Sequence, residues 1–336
     1  RGAAAPAGVM AMQANGRPLR WLLAGTGDIV RKRVAAALQS VDGSRVDAVC
    51  SARPERAAEF AAAAGIGRVY RNFDAALADT EIDAVYIATP VALHVEQAVR
   101  ALEAGKHVLV EKPLGLNGPD ALRAAAKADE RGLVAGCAYY RRCFPSFIKA
   151  CELVAGGLLG RLLEIRCSYA SWFNPAPDDP KYWRVQRGIS GGGPLADMGS
   201  HMLDMVVRLA GMPARVVGKV SSETHGYPVE DSALFLLEFP SGALAPGSCR
   251  WTSRTWSHDL EIIGTEGRLR WNVFDSGVVV HTLGREVEEI RLANAGNVHV
   301  PLIADFVDAV RQGRAPVAPL AEAAKANVVM DAIYAS

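Results

Sequence analysis

The sequence lacks any long run of lysine and arginine, and its charges nearly cancel: Lys+Arg number 37 against Asp+Glu 36 in 336 residues, a net charge of +1. A partner such as nucleic acid or an acidic membrane surface needs a basic stripe to neutralise its phosphates, so this composition argues against both. No apolar stretch reaches the roughly 20 residues that a membrane-crossing helix requires. The six cysteines, Cys50, Cys137, Cys143, Cys151, Cys167 and Cys249, form no CxxC and no metal-ligand spacing. Several sit inside apolar patterns as small core residues do, and a metal-free protein in a reducing cytoplasm is the expectation. No segment repeats. What is present is apolar: half the residues are hydrophobic, which argues against disorder, and the length suffices for two domains with cores of their own. Arg1 to Pro18, rich in alanine and glycine without an apolar core segment, reads as a disordered leader outside the fold.

From residue 19 the pattern alternates. Leu19 to Ala24 is a short apolar strand, followed by Gly25-Thr26-Gly27-Asp28-Ile29-Val30 and a helical pattern to about Gln39. Strand, glycine turn and helix are the context of a dinucleotide fingerprint: the first glycine permits the tight turn, the second lets backbone approach a pyrophosphate, and the helix start offers free N–H groups. Val30 stands where a third glycine is usual. Further strands are expected at Val46 to Cys50, Arg68 to Tyr70, Ala84 to Ala88, His107 to Val110 and Leu133 to Ala138. Helices are expected between them at Pro54 to Ala64, Phe73 to Ala78, Val91 to Ala104 and Pro119 to Arg131. This rhythm implies right-handed crossovers and a parallel sheet, so residues 19–140 read as a doubly wound, dinucleotide-binding domain.

The tip of the second strand selects the cofactor. An NAD site uses an acidic side chain there, roughly 20 residues past the fingerprint, to take the ribose 2′-hydroxyl. Here the strand leaves through Ser51-Ala52-Arg53, with Arg56 one turn on and no carboxylate at the tip; Glu55 is the nearest acid. A hydroxyl and two guanidinium groups suit a 2′-phosphate, so NADP(H) is predicted over NAD(H).

After residue 140 the rhythm changes. A helix over Phe147 to Ala155 and a strand over Arg161 to Ser171 precede a polar loop, Phe173 to Ile189, and a helix from Leu195 to Leu209. Strand-like runs then follow at Ala214 to Ser222, Ser232 to Phe239, Ala243 to Ser253, His258 to Gly264, Arg268 to Val273, Val278 to His281 and Val287 to Arg291. Pro240-Ser241-Gly242 and Thr265-Glu266-Gly267 are turn signals, so residues 141–336 read as an α+β domain with a large, mostly antiparallel open sheet. Its uncovered face suggests self-association. Two helices, Leu302 to Gln312 and Leu320 to Tyr334, close the chain and are expected to brace the domains.

Two clusters carry chemistry. Proline after His107-Val108-Leu109-Val110-Glu111-Lys112 ends the fifth strand and fixes Lys112 at its carboxyl end, where open α/β sheets bind ligands. Asp197 and His201, four apart, share one helix face, and Gly191-Gly192-Gly193 before them would let backbone pass near a ligand. Together with Thr89-Pro90 leading to His94, and with Trp183-Arg184, these motifs resemble the glucose-fructose oxidoreductase, inositol dehydrogenase and rhizopine-catabolism (Gfo/Idh/MocA) oxidoreductase family from residue 19 onward. The resemblance implies a Rossmann domain followed by an α/β domain whose open sheet makes homodimer or homotetramer contacts. It implies that Lys112, Asp197 and His201 are catalytic. It further implies that Thr89, Pro90, Leu93, His94, Glu111, Trp183 and Arg184 line the cofactor, and that the Lys112-Pro113 bond is cis. Val30 and the missing acid near Ser51 depart from some members.

The expected reaction is reversible hydride transfer between a nicotinamide and a secondary carbinol of a sugar, cyclitol or related polyol. The Lys112 ammonium would stabilise the alkoxide and His201 would exchange the proton. Two alternatives stand beside it: a glycoside-cleaving enzyme of the same family that retains its cofactor, and a non-enzymatic NADP-binding regulator. An aryl substrate is a variant of the first reading, with Tyr139, Tyr140, Trp172, Phe173 and Trp183 as an aromatic lining or simply as core.

Overall fold

The computed structural model of the chain describes residues 16–336. The expected leader lies outside the described residues as far as residue 15; its last part is tied down, for Arg17 donates to both carboxylate oxygens of Asp83 at 2.7 and 2.9 Å. The chain forms two compact units, one built from residues up to Gly115 with Asp120–Tyr140 and Asn297–Ala324, the other from Leu116–Pro119, Arg141–Gly296 and Lys325–Ser336.

In the first unit, β1 (Leu19–Ala24), β2 (Ser44–Cys50), β3 (Arg68–Tyr70), β4 (Ala84–Ile87), β5 (His107–Val110) and β6 (Ala135–Cys137) form one parallel sheet in the order β3-β2-β1-β4-β5-β6. β1 and β4 are buried along nearly their whole length, as apolar strands covered on both faces must be. The strand order reverses between β1 and β4, which puts the topological switch point at their carboxyl ends. Helices Pro54–Ala64, His94–Glu103 and Gly118–Arg131 fall where the sequence places them, and the first two close on Gly65 and Gly105, both at positive φ.

Residues 297–324 differ from expectation: they belong to this first unit, not to the second domain. The reason is burial. The helix His299–Gln312 lays Phe306 against Trp21 of β1, with ring centroids 5.3 Å apart and both side chains fully buried. Beyond it, Ala318 O accepts from Cys137 N at 2.9 Å and Pro319 bridges Gly136, so this segment covers the open edge of β6.

The second unit holds an eight-stranded sheet made of β7 (Leu162–Trp172), β8 (Arg215–Ser221), β9 (Ser232–Glu238), β10 (Leu244–Arg250), β11 (Thr252–Gly264), β12 (Gly267–Trp271), β13 (Val278–Leu283) and β14 (Glu286–Arg291). Their order is β14-β13-β12-β11-β7-β10-β9-β8. All pairs are antiparallel except β7 with β10. β10 and β11, separated by Trp251 alone, flank β7 on opposite sides, so the direct succession of two strands does not make them neighbours here. The helices Pro145–Ala155 and Ser200–Ala210 belong to this unit. On β9, Ala233, Phe235 and Leu237 are buried while the alternate Leu234 and Leu236 are exposed, which is the period-two pattern of a sheet covered on one face. Among the described residues no helix is long and apolar enough to cross a membrane.

Candidate active site

The glycine turn is built for close backbone approach. Gly25 has φ +102°, and a Cβ there would lie 2.5 Å from Ala88 O, so the exits of β1 and β4 touch and only glycine fits between them. Around Gly27, by contrast, a Cβ would meet nothing within 4 Å, and Thr26, Gly27, Asp28 and Ile29 are all at least partly exposed. An open cradle of backbone at the switch point fits the pyrophosphate of a dinucleotide. The following helix begins as a π-helical segment, Val30–Val34, with Val30 fully buried; its side chain packs where a third glycine would leave space. At the tip of β2 the Ser51 hydroxyl lies 3.4 Å from that of Thr26, and Arg53 and Arg56 are exposed. Arg31, just past the glycine motif, ties the two loops together: its Nε donates to Thr26 O at 3.1 Å and its guanidinium lies over the Phe60 ring, 5.3 Å away. A hydroxyl with exposed guanidinium groups, and no carboxylate, fits a ribose 2′-phosphate.

The exits of β4 and β5 are stapled by His94. Its Nδ1 is 2.9 Å from Pro113 O and its Nε2 2.8 Å from Thr89 O, and the ring is 1% exposed. Burial lowers its pKa against the pull of those carbonyls. His94 therefore positions the two turns by contacting their backbone. Thr89 donates to Gln97 Oε1 at 2.7 Å, Pro90 and Leu93 are exposed, and the Lys112-Pro113 bond is cis.

Glu111, expected at the cofactor, is buried and accepts from the Tyr86 hydroxyl at 2.9 Å, with His299 Nε2 3.4 Å away and the Tyr140 ring tilted against His299, centroids 5.0 Å apart. Burial opposes its charge, but the neighbouring His299, Lys112 and Tyr86 hold the carboxyl below the usual range. Tyr86, pressed between burial and that carboxylate, is pushed well above the ordinary tyrosine value. Neither Tyr86 nor His299 carries a local signal, since each acts only through a contact made by the folded chain.

In the second unit, Arg184 donates through Nη1 to Asp197 Oδ2 at 3.1 Å, and its guanidinium carbon lies 5.6 Å from the centre of the Trp183 ring. Asp197 sits in a π-helical turn, Leu195–Gly199, that continues into the α-helix Ser200–Ala210 bearing the buried His201. The expected regular helix is thus widened at its start, a feature frequent at functional sites.

The three glycines before it serve the protein's own packing. Gly191 has φ +83°, a Cβ on Gly192 would lie 2.0 Å from the Tyr334 hydroxyl, and one on Gly193 would lie 1.9 Å from Glu230 O. That crowding, not the approach of a ligand, accounts for them. Of the aromatic residues, Tyr139 is fully buried core of the first unit and Phe173 packs on Trp251 in the second, whereas Trp172, stacked by Arg254 at 4.2 Å, and Trp183 are exposed.

Comparisons with known proteins place this geometry in a family. The sequence profile described as "Oxidoreductase family, NAD-binding Rossmann fold" matches residues 19–139, and that of the GFO/IDH/MocA C-terminal domain matches residues 147–270. The 1,5-anhydro-D-fructose reductase of Ensifer adhaerens is 33% identical over 252 residues, 74% of each chain. A levoglucosan dehydrogenase in complex with NADH and levoglucosan superposes with a TM-score of 0.86 at 25% identity, covering 95% of this chain and 97% of that one. A mutant 3-ketoreductase from Actinomadura kijaniata in complex with TDP-benzene and NADP gives 0.83 at 27% identity, covering 95% and 98%. With both halves matched, the chain belongs to the Gfo/Idh/MocA family of NAD(P)-dependent oxidoreductases.

Proposed function

We propose that the protein is an NADP(H)-dependent oxidoreductase that interconverts a secondary alcohol and a ketone on a sugar, cyclitol or related polyol. The observation that carries this reading is the exit of β5, where a lysine follows a buried strand at the carboxyl edge of a Rossmann-ordered sheet and its turn is pinned by a buried histidine. The sugar names of the reductase and dehydrogenase relatives support the substrate class. Ser51, Arg53 and Arg56 would hold the 2′-phosphate and the Gly25–Ile29 turn the pyrophosphate, while the NADH complex of the levoglucosan relative keeps NAD(H) as a second cofactor.

Bound NADP(H) supplies or takes up the hydride. The chain's own residues manage charge and protons. As the carbinol oxygen gains negative charge, the Lys112 ammonium stabilises it, and His201 takes or returns the hydroxyl proton. Asp197, braced by Arg184, orients the substrate hydroxyl or the imidazole. Turnover is measured by nicotinamide absorbance with both cofactors on a panel of myo-inositol, D-glucose, D-fructose, levoglucosan and 1,5-anhydro-D-fructose. Lys112→Met and His201→Ala each lower it by about 100-fold or more, while NADPH binding followed by fluorescence persists. Full turnover in either variant removes that residue from the mechanism.

Self-association is part of the same reading. On the uncovered sheet face Val217, Leu236 and Pro246 stand side by side in register, flanked by Leu234 and Leu244, and Val217 is 57% exposed. This apolar stretch on β8 to β10 suits a homodimer or homotetramer contact. Light scattering of Leu236→Glu against the parent chain tests it: a parent that is monomeric, or a variant with unchanged mass, removes the interface.

A further inference from the structure

The helix that carries Asp197 and His201 has no cap of its own. It is preceded by Gly191-Gly192-Gly193-Pro194, none of which offers a side-chain acceptor for the free N–H groups of its first turn, whereas serine, threonine, aspartate or asparagine usually fills that role. The acceptor comes from far along the chain. Glu230, 2% exposed and two residues ahead of β9, accepts at Oε1 from Gly193 N at 2.9 Å and Leu195 N at 3.1 Å. The Tyr334 hydroxyl, from the C-terminal helix Leu320–Ala335, donates to the same oxygen at 3.0 Å. Arg187 stacks on the Tyr334 ring at 5.5 Å and holds it in place.

The glycines are what admit this arrangement, since Cβ atoms on Gly192 and Gly193 would collide with Tyr334 and with the Glu230 backbone. Burying a carboxylate is costly, and burial pushes this one upward in pKa while its second oxygen has no hydrogen-bond partner among the described residues. An apolar residue would pack there at less cost, so the retained carboxylate points to a demand on geometry beyond packing. The demand is local: Asp197 N donates to Gly193 O at 2.9 Å, so the turn that Glu230 grips is the same turn that sets Asp197.

We propose that Glu230 and Tyr334 are positioning residues for the reaction, a remote cap that fixes the first turn of the catalytic helix and thereby the placement of Asp197 and His201. The proposal rests on the roles assigned above to those two residues. Since displacement of a reacting group by about 1 Å can cost about 100-fold in rate, Glu230→Leu lowers kcat by that order on the best substrate of the panel. Tyr334→Phe, which keeps the ring and loses one donor, lowers it about tenfold. Glu230→Gln, which preserves an acceptor at Oε1, recovers most of the loss. In all three NADPH affinity stays within twofold of the parent, because the residues assigned above to the pyrophosphate and the 2′-phosphate, Gly25–Ile29, Ser51, Arg53 and Arg56, lie in the other unit.

Amide exchange gives a readout independent of substrate: it quickens at Leu195–Gly199 in Glu230→Leu and Tyr334→Phe and stays unchanged in β1 and β5. His201→Ala is assayed alongside. An inactive His201→Ala with a fully active Tyr334→Phe and Glu230→Leu overturns the positioning role and leaves the function standing. Parallel loss of NADPH affinity and kcat overturns it too, as general damage. An active His201→Ala removes the reading on which the proposal is built, and the proposal with it.

Discussion

Acid should loosen the second unit through one buried histidine. His258 on β11 is 1% exposed and lies among Tyr169, Phe274 and Trp256, with ring centroids 5.7, 5.6 and 6.4 Å away. Burial first, and then the Arg141 guanidinium, lower its pKa from 6.5 to about 4; Asp275, 3.9 Å from Nδ1, works the other way but is already engaged by Arg141 at 2.8 and 2.9 Å. The folded chain therefore holds this ring neutral where the unfolded chain would charge it. Its contribution to stability is fully present above pH 6.5, is lost progressively as the pH falls from there to about 4, and changes no further below that. At 1.36 kcal/mol per unit, the displacement amounts to roughly 3 kcal/mol at the acid end of the window. Native-state hydrogen exchange of the β11 and β7 amides, corrected for intrinsic rates, reads the opening free energy of this unit on its own. His258→Phe, which keeps an aromatic ring in the cluster, should abolish most of the acid loss there. It should leave the loss at β5 intact, because His107, likewise lowered to about 4 mainly by burial, titrates in the first unit. Equal acid sensitivity of β11 in parent and variant would refute the reasoning.

Two further outcomes are expected. Arg142 and Asp204 form a bidentate ion pair with both side chains at most 3% exposed, so Arg142→Ala should cost about 3–5 kcal/mol by taking the guanidinium away from a buried carboxylate, whereas Arg142→Met with Asp204→Leu should be close to neutral; urea unfolding of both variants separates the two. Replacing Ser51 by Asp and Arg56 by Ala should invert the cofactor preference, lowering affinity for adenosine 2′,5′-bisphosphate at least tenfold with little change for NADH, as followed by calorimetry.

The parts of the fold that the sequence discloses are those specified by local rules. β1 and β5 are short, mostly apolar runs, β1 followed at once by Gly25 and β5 by Glu111-Lys112-Pro113, and their bounds are read to the residue. β11 starts six residues earlier than its pattern suggests, because Thr252 to Ser257 is polar and its register with β7 shifts there. The amphipathic pattern of His299–Gln312 announces a helix but does not say which core it covers. The spacing of Asp197 and His201 is visible, yet the π-helical turn that holds Asp197 is not. Glu230, beside Asp231, reads as an ordinary charged pair until the fold brings Gly193 and Tyr334 to it.

The return of residues 297–324 to the first unit bears on how the chain is made. A ribosome releases β1 through β6 early, but Trp21 then waits for Phe306, and the rim of β6 for Pro319, until the second unit's sheet has been synthesised and residues 297–324 follow it. The nascent nucleotide-binding half must persist with part of its apolar surface in water throughout that interval. A fragment ending near residue 140 would be expected to emerge sticky and protease-sensitive, and recoverable by adding the missing helix as a separate peptide.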